Sequence, residues 1–181
     1  NLLIYPYVAL IPIFAKDILH AEAWQYGWLR AAPAIGAVAM ALFLVHSPPI
    51  RKAGRALLLS VAVFGAAWLV FGLSTSFWLS LACLVVRGMA DNISVIVRHT
   101  VVQTRTPDNL RGRVSAVNGV FIQSSNQLST LESGLAASWL GAAPSVVAGG
   151  AVTILCVGAA AWRWPQLRKL GALNENRADG N

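Results

Sequence analysis

The sequence predicts an all-α membrane protein with six transmembrane helices. Three observations carry this reading. Hydrophobic residues make up 56% of the 181 positions and charged residues only 12%, about half the charged share of a soluble domain. The apolar residues gather in runs long enough for a bilayer core of about 30 Å, which takes roughly 20 helical residues. Lys and Arg collect in the short connectors between these runs, the pattern of cytoplasmic loops. Barrel strands would alternate over about 10 residues, and these runs are too continuous for that. Disorder is excluded by the mean hydropathy of +0.60, and a disulfide scaffold by a count of two cysteines.

Each span follows from its own stretch of sequence. The first, 1–15, would be about 20 Å long at a 1.5 Å rise. That is short of a bilayer, so we read it as the end of a helix begun upstream. The second is predicted at 24–45, the third at 56–73 and the fourth at 77–102, which holds Arg87, Asp91 and Arg98. The fifth, 114–140, is rich in Ser, Asn and Gln, and the last is 144–164. Turn residues separate them, as in Ser47-Pro48-Pro49, Ser74-Thr75-Ser76 and Thr106-Pro107-Asp108. Residues 1–170 form one six-helix bundle, and the polar, aperiodic tail at 171–181 is expected to be disordered and cytoplasmic.

Charge sets the orientation. Arg51, Lys52, Arg55, Arg98, Arg105, Arg111, Arg113, Arg163, Arg168, Lys169 and Arg177 fall on one side of the predicted spans, and Lys16 on the other. The positive-inside rule makes the first side, with the C-terminus, cytoplasmic. The net charge of +7 is spread over loops rather than gathered on one face, so no nucleic acid partner is implied. Trp24, Trp28, Trp78 and Trp139 would sit at the outer interface, and Trp162 and Trp164 at the inner one.

Ionisable groups at membrane depth are functional candidates by default. Here they are Arg30, Arg87, Asp91 and Glu132. At 100° per residue, Ser80, Leu84, Arg87, Asp91, Ser94 and Arg98 of the fourth span form a stripe about 80° wide. Trp78, Met89, Ile93 and Ile96 point away from it. The stripe faces either water or protein; Arg87 and Asp91, four apart, can pair along the helix. They are either a cavity-lining pair or one that fixes helix packing. The fifth span repeats the pattern. Ser115, Asn118, Ser125, Asn126, Ser129, Glu132 and Ser133 share a face with Ile122, opposite Val117, Val120, Phe121, Leu128, Leu131 and Leu135. This face reads as a cavity wall. Glu132 lies about 10 Å below the outer end of its helix. Arg30 is at similar depth, so the two could pair across the cavity. Ser145, Gly149 and Thr153 form a small-residue ladder that reads as close packing.

No nucleotide loop, metalloprotease helix, nucleophile elbow or dinucleotide fingerprint occurs. His20, His46 and His99 lack ligand spacing, so no metal is implied. The sequence implies no cofactor and no enzyme.

The run Arg98-His99-Thr100-Val101-Val102-Gln103, followed by Thr106-Pro107-Asp108-Asn109-Leu110-Arg111-Gly112-Arg113-Val114, resembles the loop between helices 10 and 11 of major facilitator superfamily (MFS) exporters. The branch it resembles contains the enterobactin exporter and the transmembrane secretion effector permeases. Ser125-Asn126-Gln127-Leu128, Glu132-Ser133-Gly134, Trp164-Pro165-Gln166-Leu167-Arg168 and Tyr26-Gly27-Trp28-Leu29 fit the same branch. Arg51-Lys52-Ala53-Gly54-Arg55 is similar to the end of a family loop motif, Gly-x-x-x-Asp-Arg-x-Gly-Arg, with its acidic residue absent.

The resemblance implies the C-terminal half of an MFS transporter, built of two inverted three-helix repeats. It implies a central cavity shared with an N-terminal six-helix half. It implies a bacterial cytoplasmic membrane, a small organic cargo such as a siderophore or drug, and protons as the driving ion. The candidates for cavity or coupling roles are Arg30, Arg87, Asp91, Ser94, Asn118, Ile122, Asn126, Ser129 and Glu132. Those for the cytoplasmic loops are Arg51, Lys52, Gly54, Arg55, Arg111, Gly112 and Arg113. The alternative is a non-transporting anchor or assembly subunit, whose polar stripes only bind partner helices.

Overall fold

The computed structural model describes residues 11–13, 15, 16, 19, 22–47 and 53–163, except the side chains of 53, 105, 132, 133, 136, 137, 140, 142 and 143. The predicted tail at 171–181 lies outside the described residues, as does most of the first span.

Five long helices follow one another: α1 (Ala23–His46), α2 (Ala53–Leu73), α3 (Phe77–Arg105), α4 (Arg111–Leu140) and α5 (Ala142–Arg163), with a 3-10 turn at Asp108–Leu110 between α3 and α4. Four of them, α1, α2, α3 and α5, are long and apolar enough to cross a membrane. α4 has the length, 30 residues, but Ser, Asn and Gln interrupt its apolar residues.

The helix ends have local causes. Gln25 Oε1 accepts the Glu22 amide at 2.8 Å, which satisfies one donor at the start of α1. Between α2 and α3, the buried Ser80 hydroxyl donates to Ser74 Oγ at 3.0 Å. Ser74 Oγ in turn accepts the Ser76 amide at 3.3 Å, closing the turn. Gly141 separates α4 from α5 with φ 86°, a left-handed conformation that glycine adopts without a Cβ clash. α4 starts three residues before the predicted 114 because the 3-10 turn leads directly into it.

The main contacts form a row, α1–α3–α2–α5–α4. Two sets of glycines set how closely neighbours approach. A Cβ on Gly36 of α1 would run into the Val85 carbonyl of α3, and one on Gly88 of α3 into the Pro33 carbonyl of α1. Backbones this close are the usual means of helix association where lipid supplies no hydrophobic drive. On the other side, Gly65 and Gly72 of α2 face Val146, Gly150 and Thr153 of α5. The ladder expected at Ser145, Gly149 and Thr153 is therefore corrected: the contact face of α5 is Val146, Gly150 and Thr153. The three of them are buried, whereas Ser145 and Gly149 are only partly so. Ser145 instead donates its hydroxyl to the Gly141 carbonyl at 2.7 Å.

The core joins Leu29 and Ala32 of α1, Phe64, Trp68 and Phe71 of α2, Cys83, Leu84 and Ala90 of α3, and Val146 of α5; Ile11 and Ala15 complete it. Large apolar residues such as Phe43, Leu59, Phe121 and Leu155 are exposed, as suits helices solvated by lipid. Trp24, Trp78, Trp139 and Trp162 are exposed near helix ends, where amphipathic rings meet the headgroups.

Candidate functional site

α3 turns its polar stripe inward; on α4 the part from Asn118 to Ser129 is turned inward, while Ser115 is exposed. On α3, Ser80, Leu84, Arg87 and Ser94 are buried, while Trp78 opposite is 72% exposed. Asp91 and Arg98 are partly buried. For Arg87, the choice between a wet and a protein-lined setting falls to protein. The side chain is 3% exposed. Its guanidinium lies 5.0 Å from the ring centre of Phe64 and 5.5 Å from that of Trp68. Phe64, Trp68 and Phe71 stack edge to face along α2. A cation over such faces is held by the ring quadrupole, most strongly where water is excluded. Salt bridging among the described residues occurs at Arg111 and Asp108, away from Asp91.

The aromatic row was not singled out from the sequence. Its signal was present: Phe64, Trp68 and Phe71 have i, i+4, i+7 spacing on a span preceding an intramembrane arginine.

α4 lies at one end of the row of helices. Val117, Val120, Phe121, Leu128, Leu131 and Leu135 are all exposed. On the polar side Asn118, Ile122, Ser125 and Asn126 are half-buried and Ser129 is buried. The Oδ1 of Asn126 is buried with no hydrogen-bond partner among the described residues. Other hydroxyls are satisfied within their own helices: Thr130 donates to Asn126 O at 3.0 Å, and Thr153 to Gly149 O at 2.8 Å. Such residues need no cavity. The Glu132 side chain lies outside the described residues, and with it the expected pairing to Arg30.

α1 lies at the other end of the row. Its packed side carries Leu29, Ala32 and Gly36, and Trp24, Trp28, Ile35, Val38 and Leu42 are exposed on the far side. Arg30 is exposed between the two. Arg30 and Arg87 are thus on neighbouring helices, one open and one enclosed.

In the loops, Arg111 holds the end of α3. Its Nε donates to Gln103 O at 3.2 Å and Thr106 O at 3.3 Å, and its terminal nitrogen meets Asp108 at 2.8 Å. Carbonyls at a helix C-terminus lack intrahelical donors, and Arg111 supplies them. Gly112 and Arg113 are exposed, Gly54 is buried and Arg55 exposed. Arg51 and Lys52 lie outside the described residues.

Residues 4–179 match the family described as transmembrane secretion effector, within the major facilitator superfamily. The chain belongs to this family. It is also similar to enterobactin exporters. With that of Citrobacter koseri it is 35% identical over 101 residues, 54% of this chain and 24% of the relative. With that of Shigella flexneri it is 33% identical over 113 residues, 61% and 27% of the two. With that of Escherichia coli O1:K1 / APEC it is 33% identical over 111 residues, 60% and 26%. The chain thus spans about a quarter of the length of the curated relatives it matches. No solved structure matches it. This places the chain in a family of membrane transporters rather than of enzymes.

Proposed function

We propose that this chain is the C-terminal six-helix part of a secondary exporter in the bacterial cytoplasmic membrane, with its C-terminus cytoplasmic. It moves a small organic molecule, such as a siderophore or drug, by alternating access with an N-terminal six-helix half. Protons drive the movement.

The observation that carries this reading is the inward polar face of α4. In a helix of membrane-crossing length, whose apolar residues lie exposed, Asn118, Ser125 and Asn126 are only half covered. Polar groups at membrane depth are costly unless they serve a pathway or pair with one another. Family membership supplies the rest of the argument. Arg30, Asn118, Ile122, Asn126, Ser129 and Glu132 line the cavity in this proposal. Asp91 and Glu132 carry the coupling proton, and Ser94 lies between Asp91 and the cytoplasmic end. Arg87 fixes α3 on α2 rather than lining the cavity.

The test is proton-driven efflux by the full-length protein in proteoliposomes. Asp91→Asn and Glu132→Gln are expected to lower efflux and flatten its pH dependence. Unchanged efflux and pH dependence in both variants would reject the coupling role.

A further inference from the structure

The first turns of α1 and α3 bring aromatic rings together beside one carboxylate. Trp24 and Phe77 meet edge to face with ring centres 6.0 Å apart, and Phe77 and Trp78 do the same at 5.4 Å. The Trp24 indole N–H donates to Glu22 Oε2 at 2.7 Å, which holds the carboxylate against the ring. Trp24 and Trp78 are both more than half exposed, so each indole keeps open surface beside its Phe77 contact. Glu22 is exposed with them. Trp139 and Trp162, the exposed indoles near the ends of α4 and α5, have no ring or carboxylate contact among the described residues. Rings at a headgroup boundary need no further cause. A carboxylate hydrogen-bonded to one of them adds negative charge where the ring faces are already negative.

Trp28 and Ile35 follow Trp24 on the same side of α1, at i+4 and i+11, and lie within about 40° of it. Both are exposed. Ile35 is roughly 16 Å along the axis from Trp24 at a rise of 1.5 Å per residue. That is the depth of one leaflet in a bilayer core about 30 Å thick. An aromatic face attracts a cation through its quadrupole, and ammonium groups are the usual guests of clustered rings. The Glu22 carboxylate adds a charge-assisted acceptor and repels a headgroup whose only charge is its phosphate. The ligand that meets these demands has an ammonium group at the surface and an apolar chain one leaflet deep. We propose that Glu22, Trp24, Phe77 and Trp78 form a binding site for a phospholipid with an ammonium headgroup, one of whose acyl chains lies along Trp28 and Ile35. Such a site asks only that the helices stand in a bilayer, and so does not depend on the cargo.

Native mass spectrometry of the full-length protein, released from micelles with equimolar dioleoyl phosphatidylethanolamine and dioleoyl phosphatidylglycerol, tests it. The readout is the ratio of the two lipids retained. Glu22→Gln keeps an acceptor for the Trp24 N–H and removes the charge, and is expected to lower the ethanolamine-to-glycerol ratio about fivefold. Trp78→Leu should lower it about threefold. Trp139→Leu, which removes an exposed indole with no carboxylate beside it, should leave the ratio as in the wild type. Size-exclusion elution checks that each variant is folded; if Glu22→Gln aggregates, Trp78→Leu reads the same site. A ratio unchanged in both Glu22→Gln and Trp78→Leu overturns the site. An equal fall in Trp139→Leu and Trp78→Leu overturns it too, because a general aromatic belt would then account for the preference. Weaker retention of tetraphenylphosphonium in Glu22→Gln at an unchanged lipid ratio would identify a cargo cation as the guest and overturn the assignment to phospholipid.

Discussion

Two arginines on adjoining helices have opposite surroundings. Arg87, on α3 in the interior of the helix row, is 3% exposed and covered by the rings of Phe64 and Trp68. Arg30, on α1 at the edge of the row, is exposed. Both are at depths where a charge in lipid is unfavourable. The difference shows that the same charged residue at membrane depth is enclosed or left exposed according to the helices beside it. A neighbouring helix that supplies aromatic faces turns the same residue into part of the packing.

The glycines give the sharpest break in this comparison. Gly88→Ala drives a methyl group into the Pro33 carbonyl, so α1 and α3 must separate. We expect about 3 kcal/mol of lost stability, measured by denaturation in mixed micelles. Gly27→Ala, at an exposed position of α1, meets nothing and should stabilise by about 0.5 kcal/mol through helix propensity. The two signs should be opposite.

The arginines themselves come next. Arg87→Ala removes the cation from its rings and leaves a cavity, for an expected cost of about 2–3 kcal/mol in the same assay. Arg30→Ala should stay within about 0.5 kcal/mol, as for exposed positions. Equal costs would erase the distinction. Cysteine labelling gives a second view, in a background with Cys83→Ala and Cys156→Ala. Thiol reagents should modify Arg30→Cys and Asn126→Cys in the full-length protein and leave Arg87→Cys unmodified.

Smaller effects refine the picture. Trp68→Phe keeps a ring over Arg87 but weakens its quadrupole, for an expected loss of about 1 kcal/mol. Arg111→Ala removes the donor to Gln103 and Thr106 and the partner of Asp108. Its side chain is 48% exposed, so we expect about 0.5 kcal/mol of destabilisation. Faster amide exchange at the end of α3 should accompany it.

Much of the polar architecture was legible from spacing. The α3 stripe of Ser80, Arg87 and Ser94, and the α4 stripe of Asn118, Asn126 and Ser129, follow from 3.6-residue periodicity. In lipid that periodicity has one natural reading, polar side inward. Periodicity does not name the helix that covers a stripe, so Arg87 stood equally well beside water or beside rings. The α5 ladder shows the same limit. Small residues at 145, 149 and 153 and the actual contact at 146, 150 and 153 differ by one position at two places. A helix can rotate that far without changing its composition.

The sequence by itself determined that the chain is a membrane protein, where the five described helices run, and which side of α3 and α4 is polar. Those properties follow from hydropathy, turn residues and the helical repeat, all local along the chain. Tertiary structure alone decided that Arg87 is enclosed and Arg30 open, and that Gly36 and Gly88 meet facing backbones. Burial is a relation between helices far apart in sequence. It depends on crossing points set by backbone approach, which no single helix encodes.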